Sequence, residues 1–270
     1  MNGLIGFFAV TFGVFASSVC SAEGLFFDSD DVRIHYVELG AGEPVVLVHA
    51  FTASIDMWNA NGIMRNLAQD YRVIALDVRG HGLSGKPNVP EAYGPKMGED
   101  IIRLLDHLGV TKAHLVGYSM GAYIIGRLLV TNPDRIATAT LGSGAFPNWS
   151  SEDEKWAEES ARATEERGRT GQLYPWEPPD QDFVALAACA RGRRYEAVTD
   201  EEIARINVPM VAIYGSAETE DFFPADLRRL ALPTSALPQV VVAGATHVGE
   251  SSTVRRPEFI EAVRHLIESN

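Results

Sequence analysis

The chain has 270 residues, 46% hydrophobic and 22% charged, the make-up of an ordinary soluble domain long enough to bury a sizeable core; disordered and collagen-like classes are excluded. Its formal charge of -13 repels phosphate backbones and anionic lipid surfaces, and no Lys/Arg cluster overrides it, so no nucleic-acid partner is expected.

The first charged side chain is Glu23, and before it Leu4 to Phe15 form an apolar run followed by the small residues Ala16, Ser17, Ser18, Cys20, Ser21 and Ala22. That pattern predicts a secretory signal peptide over residues 1-22, cleaved after Ala22, and hence a periplasmic or extracellular protein with no membrane span once mature. An uncleaved anchor is the alternative, because the uncharged stretch just reaches across a bilayer. Cleavage leaves Cys189 as the only cysteine, so no internal disulfide forms. Neither Cys nor His shows zinc-ligand spacing.

Beyond residue 23 strand-like and helix-like segments alternate. Val32 to Glu38 alternates as a strand, Val45 to His49 reads as a short buried strand, Met57 to Leu67 as a helix and Tyr71 to Asp77 as another strand. The helix predicted over Met97 to Leu108 carries Ile101, Leu104, Leu105 and Leu108 on one face. Ala113 to Val116 then reads as a strand and Ala122 to Val130 as a helix, followed by strands at Ile136 to Leu141, Val208 to Tyr214 and Gln239 to Val242 and a terminal helix at Pro257 to Ile267. Apolar strands separated by helices predict an α/β fold, a mostly parallel sheet flanked by helices, with catalytic loops at the strands' carboxyl ends.

From about Ala145 to Asn207 the alternation stops, and acidic residues, arginines and Pro175, Pro178 and Pro179 take over. Ser151 with Glu154, and Thr199 with Glu202, read as capping boxes opening short helices. The expectation is a helical cap, residues 145-207, inserted over a core formed by 23-144 and 208-270. Trp149, Trp156 and Trp176 fall inside it, where they either line an apolar pocket or glue the cap to the core.

Chemistry concentrates at Gly117-Tyr118-Ser119-Met120-Gly121, set between a strand and a helix. A serine hydroxyl that attacks a carbonyl must stand clear of the sheet, and a sharp strand-to-helix turn with small neighbours presents it so. Such a serine needs a base. His107 and His265 lie on helices and His35 and His114 in strands, whereas His247 follows Val240 to Thr246 in a loop just past the last strand, where a base can reach Ser119. The carboxylate that orients it should follow the strand ending at Tyr214. Two compete: Glu218, three residues after Gly215, is preferred, and Asp221, three residues before Pro224, is the alternative.

From about Gly24 onward the chain resembles the α/β-hydrolases, specifically the capped branch of esterases, lactonases and carbon-carbon hydrolases. The motifs that carry the likeness are His49-Ala50-Phe51-Thr52, Asp77 to Ser84 (Asp-Val-Arg-Gly-His-Gly-Leu-Ser), the serine pentapeptide and Gly244-Ala245-Thr246-His247, in the family's order. The resemblance implies an oxyanion hole from the amides of Phe51 and Met120, and a scaffold role for Arg79 and His81. Two departures stand out: Ala50 occupies a position where relatives carry Gly, so a glycine-only backbone angle there would displace the oxyanion hole, and Glu218 replaces the commoner Asp. Serine at 119 also separates the chain from the haloalkane dehalogenases and epoxide hydrolases of this fold, which use Asp there.

These readings predict hydrolysis of a small ester-like substrate through an acyl-enzyme, without cofactor or metal. Lactone or carbon-carbon bond hydrolysis by the same residues is the alternative within enzymes. A ligand sensor on the same fold is the alternative outside them.

Overall fold

The computed structural model describes residues 24–147, 151–194, 197–218 and 237–270. The leader expected at 1-22, Trp149 and Asp221 lie outside these residues.

The alternation of buried positions along the chain resolves into eight strands and eight α-helices among the described residues. They run β1 (Leu25–Ser29), β2 (Val32–Leu39), β3 (Pro44–Val48), α1 (Asp56–Ala60), α2 (Ile63–Leu67), β4 (Arg72–Leu76), α3 (Pro95–His107), β5 (Ala113–Tyr118), α4 (Met120–Thr131) and β6 (Ile136–Gly142). Three helices then intervene, α5 (Ser151–Thr170), α6 (Phe183–Gly192) and α7 (Asp200–Ala204), before β7 (Met210–Gly215), β8 (Gln239–Val242) and the terminal α8 (Pro257–Glu268). The strands form one sheet in the order β1-β2-β4-β3-β5-β6-β7-β8. β1 and β2 pair antiparallel, as do β2 and β4, and every later pairing is parallel.

A parallel sheet must be covered on both faces, and β3 shows how: Val46 and Val48 join one core with Ile101, Leu104, Leu105, Ile124 and Ile125 of α3 and α4. Val45 and Leu47, pointing the other way, join a second core with Trp58, Met64 and Leu67 of α1 and α2 and Phe259 and Val263 of α8. Fully burying each such side chain contributes about 1.5–3 kcal/mol, which makes this two-sided core the main support of the site above it.

Three points need correction. The helix over Met57 to Leu67 is two short helices, because Gly62 turns left-handed at φ 71 between them. The sheet also has a strand the alternation did not announce, β1, which is too short and too exposed at its start to carry a periodic signal and is held by its hairpin with β2. Of the two capping boxes, Thr199 and Glu202 form theirs, with Thr199 Oγ1 accepting from the Glu202 amide at 3.2 Å and Glu202 from the Thr199 amide at 2.8 Å. The helix starting at Ser151 spans 20 residues and is not short.

Candidate active site

The parallel strands β3, β5, β6, β7 and β8 deliver Phe51, Ser119, Ser143, Glu218 and His247 to their carboxyl ends. Ser119 ends β5 and caps α4 at φ 52, ψ -113, a backbone region that costs a non-glycine residue about 1–3 kcal/mol. The turn closes because its flanks lack side chains. A Cβ on Gly117 would meet the Gly121 carbonyl, and one on Gly121 would overlap the Val48 carbonyl oxygen of β3. The Ser119 amide donates to Gly142 O at 2.8 Å, which ties the elbow to β6.

Ser119 Oγ lies 3.0 Å from His247 Nε2, and His247 Nδ1 lies 3.2 Å from Glu218 Oε2. The three side chains expected from sequence therefore meet in one buried line. Glu218 is held by its other oxygen: Oε1 accepts from the Gly215 amide at 2.8 Å, from Ser143 Oγ at 2.8 Å and from Thr253 Oγ1. Burial by itself raises a carboxyl's pKa, but here the hydrogen bonds from His247, Thr253 and Gly215 outweigh it and Glu218 falls below the usual range. With Oε1 occupied, Oε2 is the oxygen left to take the imidazole N–H, so His247 carries its proton on Nδ1 and turns a lone pair toward Ser119.

Tyr118 adds a second restraint on the imidazole. Its hydroxyl donates to His247 O at 2.7 Å, and its ring stacks on the imidazole with centroids 5.7 Å apart. Sequence reading missed Tyr118, Ser143 and Thr253. Tyr118 lies inside the serine pentapeptide, a signal that marks it, but nothing local marks Ser143, 75 positions from Glu218, or Thr253, 35 positions away.

Ala50 is not among the positive-φ residues; the left-handed position in that loop is Thr52, at φ 64. The glycine that relatives carry at 50 is thus not required by backbone angle here, and Ala is accommodated. Neither the Phe51 nor the Met120 amide has an acceptor among the described residues. Met120 opens α4, so its amide also stands at the positive end of that helix.

The Asp77 to Ser84 loop is built as scaffold. Asp77 accepts from His35 Nδ1 at 2.7 Å and from the amides of Ile55 and Leu83 at 2.8 Å each. Arg79 grips Asp100 through Nε and Nη2 at 2.7 and 2.6 Å, both side chains fully buried. His49 Nδ1 donates to Ala50 O and its Nε2 accepts from the Val78 amide, while burial pushes the His81 imidazole down to about 3. His114 pairs with Thr138 at 2.9 Å. Among the described residues no three His, Cys, Asp or Glu side chains converge to hold a metal ion.

The helices between β6 and β7 lie against the Phe51 loop. Phe51 packs on Ala161, Ala187 and Ala190 of α5 and α6, and Gln181 donates to Thr52 O. Arg167 and Glu177 form an ion pair inside this segment at 2.7 Å, and α6 is capped by Asp182, which accepts from the amides of Val184 and Ala185. Trp156 is exposed beside Arg193, and Trp176 stacks on Tyr174 with centroids 4.7 Å apart. Cys189 is buried, its thiol pushed up to about 12 by desolvation.

Comparison with known proteins places this arrangement. Residues 43–167 match the family model described as alpha/beta hydrolase fold. The chain is 36% identical over 119 residues to the dihydrolipoyllysine-residue acetyltransferase component of the acetoin cleaving system of Cupriavidus necator, covering 44% of this chain and 31% of that protein. It is 38% identical over 93 residues to Esterase YbfF of Escherichia coli, covering 34% of this chain and 35% of that one. The matches thus span about a third of the length of these curated relatives. Among solved structures, an E-2-(acetamidomethylene)succinate hydrolase superposes with TM-score 0.70 at 24% identity, over 92% of this chain and 99% of the other.

Proposed function

We propose that this chain, which belongs to the α/β-hydrolase family, hydrolyses carboxylic esters through an acyl-enzyme on Ser119. The observation that carries the reading is the line from Glu218 Oε2 through His247 to Ser119 Oγ, with contacts of 3.2 and 3.0 Å. As the hydroxyl attacks the ester carbonyl, His247 Nε2 takes its proton, and the imidazolium that forms is stabilised by the Glu218 carboxylate. Charge developing on the carbonyl oxygen is met by the amides of Phe51 and Met120 and by the amino end of α4. The alkoxide leaves as an alcohol with the proton from His247, and water activated by the same imidazole then releases the acid.

Ester hydrolysis is preferred over epoxide opening because the nucleophile is an alcohol that needs a base, and the base is at hydrogen-bond distance. The likeness to an esterase of Escherichia coli is consistent with this reading. A serine-directed fluorophosphonate should label the protein once, at Ser119, and nitrophenyl esters of several chain lengths should turn over with a burst of nitrophenol. Turnover of lactones but not esters would move the reading to the lactonase alternative. Labelling without turnover of any ester or lactone would favour a ligand sensor.

A further inference from the structure

Arg193 follows α6 at the edge of the helices that lie on the Phe51 loop, and it is only 8% exposed. Its guanidinium carbon sits 4.1 Å from the centroid of the Phe51 ring and 5.0 Å from that of Trp156. An aromatic ring attracts a guanidinium but offers its N–H donors no oxygen acceptor. The Nε and Nη2 donors of Arg193 are buried and have no hydrogen-bond partner, and no carboxylate pairs with this side chain among the described residues.

Nε and Nη2 form the side-on fork that matches the two oxygens of a carboxylate. Elsewhere the chain uses that edge for this purpose: Arg79 holds Asp100 through it, and Arg191 holds Glu158 at 2.8 and 3.2 Å. Leaving a buried donor without an acceptor is unfavourable, and more so when it is charged. The fork of Arg193 thus lacks the acceptor that the forks of Arg79 and Arg191 have, and Phe51, whose ring it packs on, carries the amide at which an ester oxygen would become charged. His81 does not compete for that role. Burial, then the neighbouring His49, with the charge of Arg193 adding, keep it neutral, and its Nδ1 proton points to Arg79 O.

We propose that Arg193 binds a carboxylate carried by the substrate, so that the preferred substrates are esters bearing a free acid group away from the scissile bond, such as half-esters of short dicarboxylic acids. This deepens the ester-hydrolase reading of the same site and rests on it. The overall charge of -13 opposes an approaching anion at long range, but that field is screened beyond about 8 Å at physiological ionic strength. The local fork then decides.

The test compares monoethyl glutarate with ethyl 4-carbamoylbutanoate, which has the same shape without the charge, at about pH 7 where the free acid is ionised. Wild-type kcat/KM should favour the acid by about tenfold or more, and Arg193→Gln should bring the ratio close to one. Arg193→Lys, which keeps the charge but loses the fork, should fall between, and it carries the comparison if circular dichroism shows that the glutamine variant is not folded. A wild-type ratio at or below one, or an unchanged ratio in the variants, overturns the proposal. Binding separates it from the catalytic reading: calorimetry with glutarate on Ser119→Ala should detect a complex that weakens about tenfold when Arg193→Gln is added. If neither ester reacts and the fluorophosphonate fails to label Ser119, the hydrolase reading falls, and equal glutarate binding by both proteins overturns the carboxylate site regardless of catalysis.

Discussion

Replacing Glu218 by glutamine changes one atom, and the hydrogen bonds around it determine which way the amide must face. Three donors converge on Oε1, and one of them, the Gly215 amide, cannot be reversed. The carbonyl oxygen of a glutamine is therefore held at that corner, which turns its NH2 toward His247 Nδ1. Two N–H donors cannot share that 3.2 Å contact, so the imidazole shifts its proton to Nε2 and presents a donor, not a lone pair, to Ser119. The base is lost with the geometry kept, a change that costs about 10⁴ in kcat in comparable sites. Steady-state hydrolysis of a short nitrophenyl ester, with circular dichroism as the control for folding, measures it. Activity of folded Glu218→Gln within tenfold of wild type would refute both the orientation argument and the assignment of Glu218 as the acid.

The same residue makes a stability prediction: its folded pKa is depressed, so its contribution is complete above the unfolded value of about 4.3 and is lost as pH falls through the folded pKa. Thermal melts of wild type and Glu218→Gln should accordingly converge as pH is lowered below about 4. Ser119→Ala should fold normally, lose about four or more orders of magnitude in kcat and fail to react with fluorophosphonate; persistent labelling would reject the nucleophile. Asp221→Asn should change kcat only modestly, and a collapse there with normal Glu218→Gln activity would reverse the choice of acid. Arg79→Leu leaves the buried Asp100 carboxylate unpaired and should cost about 3–5 kcal/mol in chemical denaturation. Cleavage after Ala22 predicts an intact mass beginning at Glu23 for protein recovered from its native host, whereas a mass including Met1 in the membrane fraction would support the anchor.

The parts legible in the sequence were those with a local signature. Buried strands such as Val45 to Val48 and amphipathic helices such as α3 announce themselves by period, and the elbow announces itself because only small residues fit beside a serine at φ 52. The break at Gly62 and the strand β1 escaped because a single left-handed residue and a five-residue edge strand leave little periodic trace. Histidine 247 could be picked by position, as the loop beyond the last strand is within reach of the elbow once the sheet is parallel.

What only the tertiary structure decided is how the Glu218 carboxylate is held and what surrounds Ser119. Glycine and proline spacing favoured Glu218 but kept Asp221 as an alternative, while the fold brings Ser143 from the end of β6, Gly215 from β7 and Thr253 from beyond β8 onto one oxygen of Glu218. It also shows that Ala50 keeps an ordinary backbone angle and that Thr52 takes the left-handed one, and it sets the Arg193 guanidinium against the ring of Phe51, far away along the chain. Local patterns report the conformations a segment prefers, since those depend on neighbours along the chain. Hydrogen-bond satisfaction and charge pairing depend on neighbours in space, and these exist only after the strands have been ordered side by side.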